Sequence, residues 1–256
     1  MPADTMNARF KARLAAREPL LGTFLKTPHP ILVEVLAAAG FDFIVIDGEH
    51  GPFDRGAIDT LMIACRAVGL PAIVRVPADH WIGWVLDMGA AGVMVPHVAS
   101  LDRARAVVAA CRYPPEGARG FAGTTRAAGY VGRAMAEQLT HPGDEVVLLC
   151  QIEEPEGVAA AAEIAALDGV DGLFVGRADL SVASGERAFA GPRTVAETCE
   201  VLGRAGAANG LYCAPGEDLA PFREAGATVF VVGSEHTLIA GGGRALRAAF
   251  DEVKPG

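Results

Sequence analysis

The feature that most restricts how this chain can fold is an alternation. Short apolar runs are each followed by an Ala-rich amphipathic stretch, and the pair recurs about eight times in 256 residues. The runs are Gly22–Leu25, Phe43–Asp47, Ala72–Val76, Gly92–Pro96, Val146–Ile152, Gly172–Gly176, Gly210–Cys213 and Val229–Gly233. Several (FIVI, GVMVP, GLFVG, VFVVG) are apolar throughout, which suits parallel strands covered by helices. Between them lie helical segments such as Pro30–Ala39, Ala57–Ala67, Leu101–Cys111, Gly157–Ala166, Val195–Ala208 and Asp218–Ala225. Phrases such as AAAGFDF and EAGATVFVV put Gly just past a helix and before the next strand. Eight β/α units predict an α/β fold, a (β/α)8 TIM barrel, which takes about 250 residues. The reading is a single domain over 1–256, with a short N-terminal extension and a C-terminal helix within Gly241–Gly256.

Composition narrows the class. With 51% hydrophobic and 21% charged residues the chain can bury a large core, which excludes a disordered or fibrous protein. No apolar run reaches the roughly 18 residues of a spanning helix. The opening MPADTMNARFKARLAAREPL lacks the apolar centre of a signal peptide, so the expectation is a soluble cytoplasmic protein with no membrane partner. A net charge of −9 argues against nucleic acid as a partner. The five cysteines are scattered, with no C-x-x-C, and read as free thiols. One connection breaks the rhythm: the segment from Arg112 to Glu145 is too long for a simple turn. It is either functional or a surface excursion with a short helix near Arg133–Leu139.

In such a barrel the reacting groups project from the C-terminal strand ends. There the sequence places Asp47-Gly48-Glu49-His50, Arg75-Val76-Pro77, Pro96-His97, Gln151-Ile152-Glu153-Glu154 and Gly176-Arg177-Ala178-Asp179. Glu153 and Asp179, one β/α unit apart, suit a hard cation such as Mg²⁺ or Mn²⁺. They equally suit an acid/base pair, or a salt bridge from one of them to Arg177. Arg75 calls for an anionic partner, either a substrate carboxylate or enolate, or Asp47 or Glu49 across the rim. His50 is an acid/base candidate oriented by Asp47, with Asp87 a second candidate to orient it, or else an exposed loop residue. His29, His80 and His97 have no comparable company and read as rim or surface residues. A Schiff-base mechanism needs a lysine at a strand end, and of Lys11, Lys26 and Lys254 only Lys26 could serve. No P-loop, dinucleotide fingerprint or nucleophile elbow is present.

Taken together, GTFLKTPHPILVEVLAAAGFDFIVIDGEHGPFD, VRVP, LDMGAAGVMVPHV, RYPPEGARG, QIEEPEGV and DGLFVGRADLS resemble the HpcH/HpaI aldolases, from about Leu20 to Phe250. These are class II, metal-dependent pyruvate aldolases, related to 4-hydroxy-2-oxoheptanedioate and 2-dehydro-3-deoxyglucarate aldolases. The resemblance implies a carbon–carbon lyase (aldehyde-lyase) of aromatic or sugar-acid catabolism. It would cleave 4-hydroxy-2-oxo acids to pyruvate and an aldehyde through an enolate stabilised by Mg²⁺, Mn²⁺ or Co²⁺. It implies Glu153 and Asp179 as metal ligands. Gln151 and the backbone around Ala178 and Asp179 would hold the oxo acid, and Arg75 would steady the enolate. His50 would be the acid/base, tuned by Asp47 and Asp87. It also implies a homohexamer that exchanges its last helix. Two departures stand out: Arg177 where many relatives have Pro, and Phe24 where many carry Trp. Rival readings are a CoA-ester lyase of the citramalyl/malyl-CoA type and a non-catalytic 2-oxo-acid-binding barrel.

Overall fold

The computed structural model describes residues 5–130, 132, 134–140, 146–204 and 208–253. Eight parallel strands close into one barrel in chain order. They are β1 (Leu20–Leu25), β2 (Phe43–Asp47), β3 (Ala72–Arg75), β4 (Gly92–Val95), β5 (Val147–Ile152), β6 (Gly172–Val175), β7 (Ala208–Cys213) and β8 (Val229–Ser234). Around and between them run helices α1 (Met6–Ala15), α2 (Pro30–Ala38), α3 (Arg55–Val68), α4 (Ile82–Asp87), α5 (Leu101–Cys111) and α6 (Met135–Thr140). The remaining helices are α7 (Pro155–Ala165), α8 (Arg177–Ala183), α9 (Pro192–Arg204), α10 (Ala220–Glu224) and α11 (Glu235–Val253). The predicted TIM barrel is thus observed, its edges sealed by the β1–β8 pairing that sets Leu20 beside Val229.

Alternation along each strand builds two cores. Ile44, Ile46, Val74 and Val95 face outward and pack among the helices. Phe43, Val45, Ile73, Leu149 and Phe174 face inward and fill the barrel. Gly22 is required by this filling, because a Cβ there would lie 2.5 Å from the Phe43 ring. The short N-terminal extension is itself a helix. Capped by the Thr5 side chain on the Ala8 N–H, α1 closes the floor with buried Phe10 and Leu14, Phe10 lying 5.3 Å from the Phe43 ring.

Element ends differ from expectation by a few residues. The helix expected to reach Ala208 ends at Arg204, and Ala208 already belongs to β7, buried in the barrel. An Ala carries little signal to distinguish helix from strand, so its neighbours decide. In the long connection, α6 falls where the short helix was expected, although Arg133 lies outside the described residues. Arg119 of this connection pairs with Asp87 at 2.7 Å. Arg126 pairs with Asp59 at 2.7 Å and donates to the Met88 carbonyl. Both arginines are therefore spent on holding the segment against α3 and α4. Among the described residues no helix is long and apolar enough to cross a membrane.

Candidate active site

The inward stripe that is apolar through most of the barrel turns polar at its C-terminal end. Phe43 and Val45 lead to Asp47, Ile73 to Arg75, and Leu149 to Gln151. These ends surround a cavity of about 600 Å³ whose walls include Lys26, His50, Arg75, Gln151, Ala178 and Asp179.

Asp47 is fully buried, and its partners are all local to this mouth. Its Oδ1 accepts from Arg75 Nη2 at 2.8 Å, Arg75 Nε at 3.0 Å and the His50 backbone N–H at 3.1 Å. Its Oδ2 lies 3.0 Å from Lys26 Nζ. Register explains the first contact, since Asp47 and Arg75 are paired residues of β2 and β3. Burial pushes the Asp47 carboxyl up, but the Arg75 charge, the His50 N–H and Lys26 outweigh it and hold it below the usual carboxylate range. This corrects one expectation: Asp47 fixes the loop that carries His50 through its backbone, not through the imidazole. The half-exposed ring instead has its Nε2 3.9 Å from Glu49, and Glu49 lies 3.3 Å from Arg75 Nε. Lys26 is a counter-ion to Asp47, unlike the desolvated amine a Schiff base requires.

Glu153 is 2% exposed. One carboxylate oxygen accepts from the His97 N–H at 2.7 Å, and the other is held by Gln151 Nε2. Burial pushes its carboxyl up and the Asp179 carboxylate adds to this, against the opposing pull of Gln151 and His97. Glu153 and the Asp179 carboxylate act on each other as like charges, and among the described residues neither has a Lys or Arg salt bridge, Glu153 having only the His97 imidazole at 3.0 Å, so a cation between them would be favoured. Gly176 keeps space open beside them, since a Cβ there would stand 2.8 Å from Glu153 Oε2. Gln151 Oε1 is buried without a partner. The donor set is all hard oxygen and fits a divalent ion such as Mg²⁺ or Mn²⁺.

Three other residues depart from expectation. His97 does have company: its Nδ1 lies 2.7 Å from Glu154 and 3.0 Å from Glu153, and its Nε2 3.7 Å from Glu49. Ligand atoms of His97, Glu153 and Glu154 lie within 4.8 Å of one another, which makes this an acidic group able to hold a metal. Burial lowers the His97 imidazole, but these carboxylates more than reverse it, so it sits above its usual value. The Pro96-His97 pair gave no sign of this, because all three carboxylates come from other loops. Arg177 does not bridge to Asp179. It is fully buried, clamped to Glu217 by two contacts of 2.9 Å and stacked against Phe222 at 4.4 Å. Asp87, at the end of α4 as the chain turns back toward β4, bonds Arg119 and not His50, so within one chain it does not orient the imidazole. A helix returning from the mouth carries its last residue away from it.

Residues 20–241 match the family described as HpcH/HpaI aldolase/citrate lyase. A hydroxypyruvate/pyruvate aldolase of Deinococcus radiodurans is 37% identical, over 98% of this chain and 93% of the relative. A 5-keto-4-deoxy-D-glucarate aldolase of Escherichia coli O157:H7 is 35% identical, over 92% of this chain and 93% of the relative. Among solved structures, an HpcH/HpaI aldolase/citrate lyase family protein from Burkholderia cenocepacia superposes with a TM-score of 0.87. It is 34% identical and covers 97% of this chain and all, 100%, of that one.

Proposed function

The chain belongs to the HpcH/HpaI aldolase/citrate lyase family of carbon–carbon lyases, and from that premise we propose that it is a divalent-metal-dependent aldolase. The reaction is reversible cleavage of a 4-hydroxy-2-oxo acid to pyruvate, or a close 2-oxo acid, and an aldehyde. The observation that carries this reading is the cavity lined by Asp179, Arg75, His50 and Gln151, with the buried Glu153 held by Gln151 beside it.

Glu153 and Asp179 would hold the metal, Mg²⁺, Mn²⁺ or Co²⁺, which supplies a positive charge that stabilises an enolate. Gln151 and the backbone at Ala178 and Asp179 hold the carboxylate and keto group of the oxo acid. Gln151 Nε2 gives one N–H to Glu153 and has a second to offer the substrate, and no side chain caps the start of α8. Arg75 adds a fixed charge at the enolate, and because Asp47 and Glu49 lock it, it need not reorganise as charge develops. His50 takes the proton of the C4 hydroxyl as the C3–C4 bond breaks and the aldehyde leaves. The enolate carbon then takes up a proton and becomes the methyl group of pyruvate. Run backwards to its first step, the same chemistry exchanges the methyl protons of pyruvate with solvent.

That exchange is the test. Enzyme with Mn²⁺ in D2O should replace the methyl protons of pyruvate with deuterium, and chelator, Glu153→Gln and His50→Gln should each abolish it. Full exchange by Glu153→Gln in chelator would overturn the reading. We further propose a homohexamer. Its support is the row Ile239, Leu246, Phe250 and Val253 on α11, 56–78% exposed and spaced to share one helix face. A monomer in light scattering would refute that assembly.

A further inference from the structure

The cavity is larger than a three-carbon acid needs, since about 600 Å³ falls among the pockets that hold drug-sized ligands. Four of the residues that line the cavity are aromatic: Phe24, Phe174, Phe189 and Tyr212. Phe24 lies 6.1 Å from Tyr212, and Tyr212 lies 5.7 Å from Phe189 in an edge-to-face contact. Phe174 meets Phe24 edge-on at 6.5 Å. Exposure rises along this ladder, from 5% at Phe24 to 42% at Phe189. An exposed Phe at the mouth of a cavity offers its ring to whatever enters.

The charges of the wall point the same way. Lys26 is matched to Asp47, Arg75 to Asp47 and Glu49, and Arg177 bidentately to Glu217. Three cations thus face three carboxylates. The guanidinium faces are taken as well, Arg75 by Phe24 at 4.8 Å and Arg177 by Phe189 at 5.1 Å. Of the imidazoles, His50 is assigned to proton transfer, and His236 bonds Thr27 at 2.8 Å with Glu235 at 3.3 Å. A carboxylate on the departing aldehyde would therefore meet no uncommitted Lys or Arg among the described residues that line the cavity.

We propose that the acceptor half of the cavity is built for an uncharged aryl aldehyde, its ring seated against Phe24, Tyr212 and Phe189. This rests on the aldolase reading above and names the substrate class for it. Arg177 then acts as a positioning residue. Pinned by Glu217, it backs Phe189 instead of reaching for substrate.

The test compares retro-aldol kcat/KM for the pyruvate adducts of benzaldehyde, acetaldehyde and glyoxylate with Mn²⁺-loaded enzyme. The benzaldehyde adduct should exceed the glyoxylate adduct at least about tenfold. Phe189→Ala should cut the benzaldehyde-to-acetaldehyde ratio about tenfold, the loss of one aromatic contact with its buried area, and Phe189→Tyr should restore it. Preference for the glyoxylate adduct, or a Phe189→Ala loss equal for all adducts, would overturn the proposal. Pyruvate methyl exchange in the unaltered enzyme separates the two failures. Exchange without aryl preference sinks only the acceptor class, whereas no exchange sinks the aldolase reading itself.

Discussion

Replacing Asp47 by Asn probes whether the mouth is a structural unit as well as a catalytic one. Asn keeps the shape and an acceptor for the His50 N–H, and removes only the charge that Arg75 and Lys26 share. Arg75 has a side-chain exposure of 9% and would be left with Glu49 alone at 3.3 Å. Breaking a buried pair by removing one partner costs about 3–5 kcal/mol. Lys26 is 30% exposed and can turn toward water, which puts the expected loss near the lower bound. At roughly 2–4 °C per kcal/mol for a chain of this size, about 3 kcal/mol lowers Tm by roughly 6–12 °C. Calorimetry at fixed protein concentration, with metal absent, measures it. The cycle with Arg75→Met should be non-additive by at least about 1 kcal/mol, because the single variants strand a partner that the double variant does not. A drop under about 2 °C, or simple additivity, would refute the claim that these groups form one buried ion pair.

Further outcomes follow from the same geometry. Because Asp47 is held below its ordinary range, its stabilisation is present above the unfolded carboxyl value of about 3.9 and is lost as pH falls through the lower native one. Asp47→Asn should therefore flatten the acid side of the stability curve, read by denaturation between pH 5 and about 2. Gly176→Ala places a methyl 2.8 Å from Glu153 Oε2 and should weaken Mn²⁺ binding about tenfold or more by calorimetric titration, with Tm little changed. Burial pushes the thiols of Cys65, Cys111, Cys150 and Cys213 up to about 12, so at pH 8 a thiol reagent should label Cys199 alone until denaturant exposes the rest.

Much of this protein was legible from its chain alone. The eight-fold alternation predicts the barrel because continuous apolar strands must be covered on both faces, and eight parallel ones do so by closing. The polar residues that end several inward stripes, Asp47, Arg75 and Gln151, mark the mouth, because the period of a strand is local. The partners were not legible. That Asp47 holds a backbone N–H and Lys26, that His97 meets three carboxylates, that Arg177 chooses Glu217 over Asp179, and that Asp87 bonds Arg119 all join residues from different β/α units. Periodicity says which way a side chain faces along its own strand. Which of the groups on the rim it then meets depends on loop paths and helix return, and those are decided only when the barrel closes.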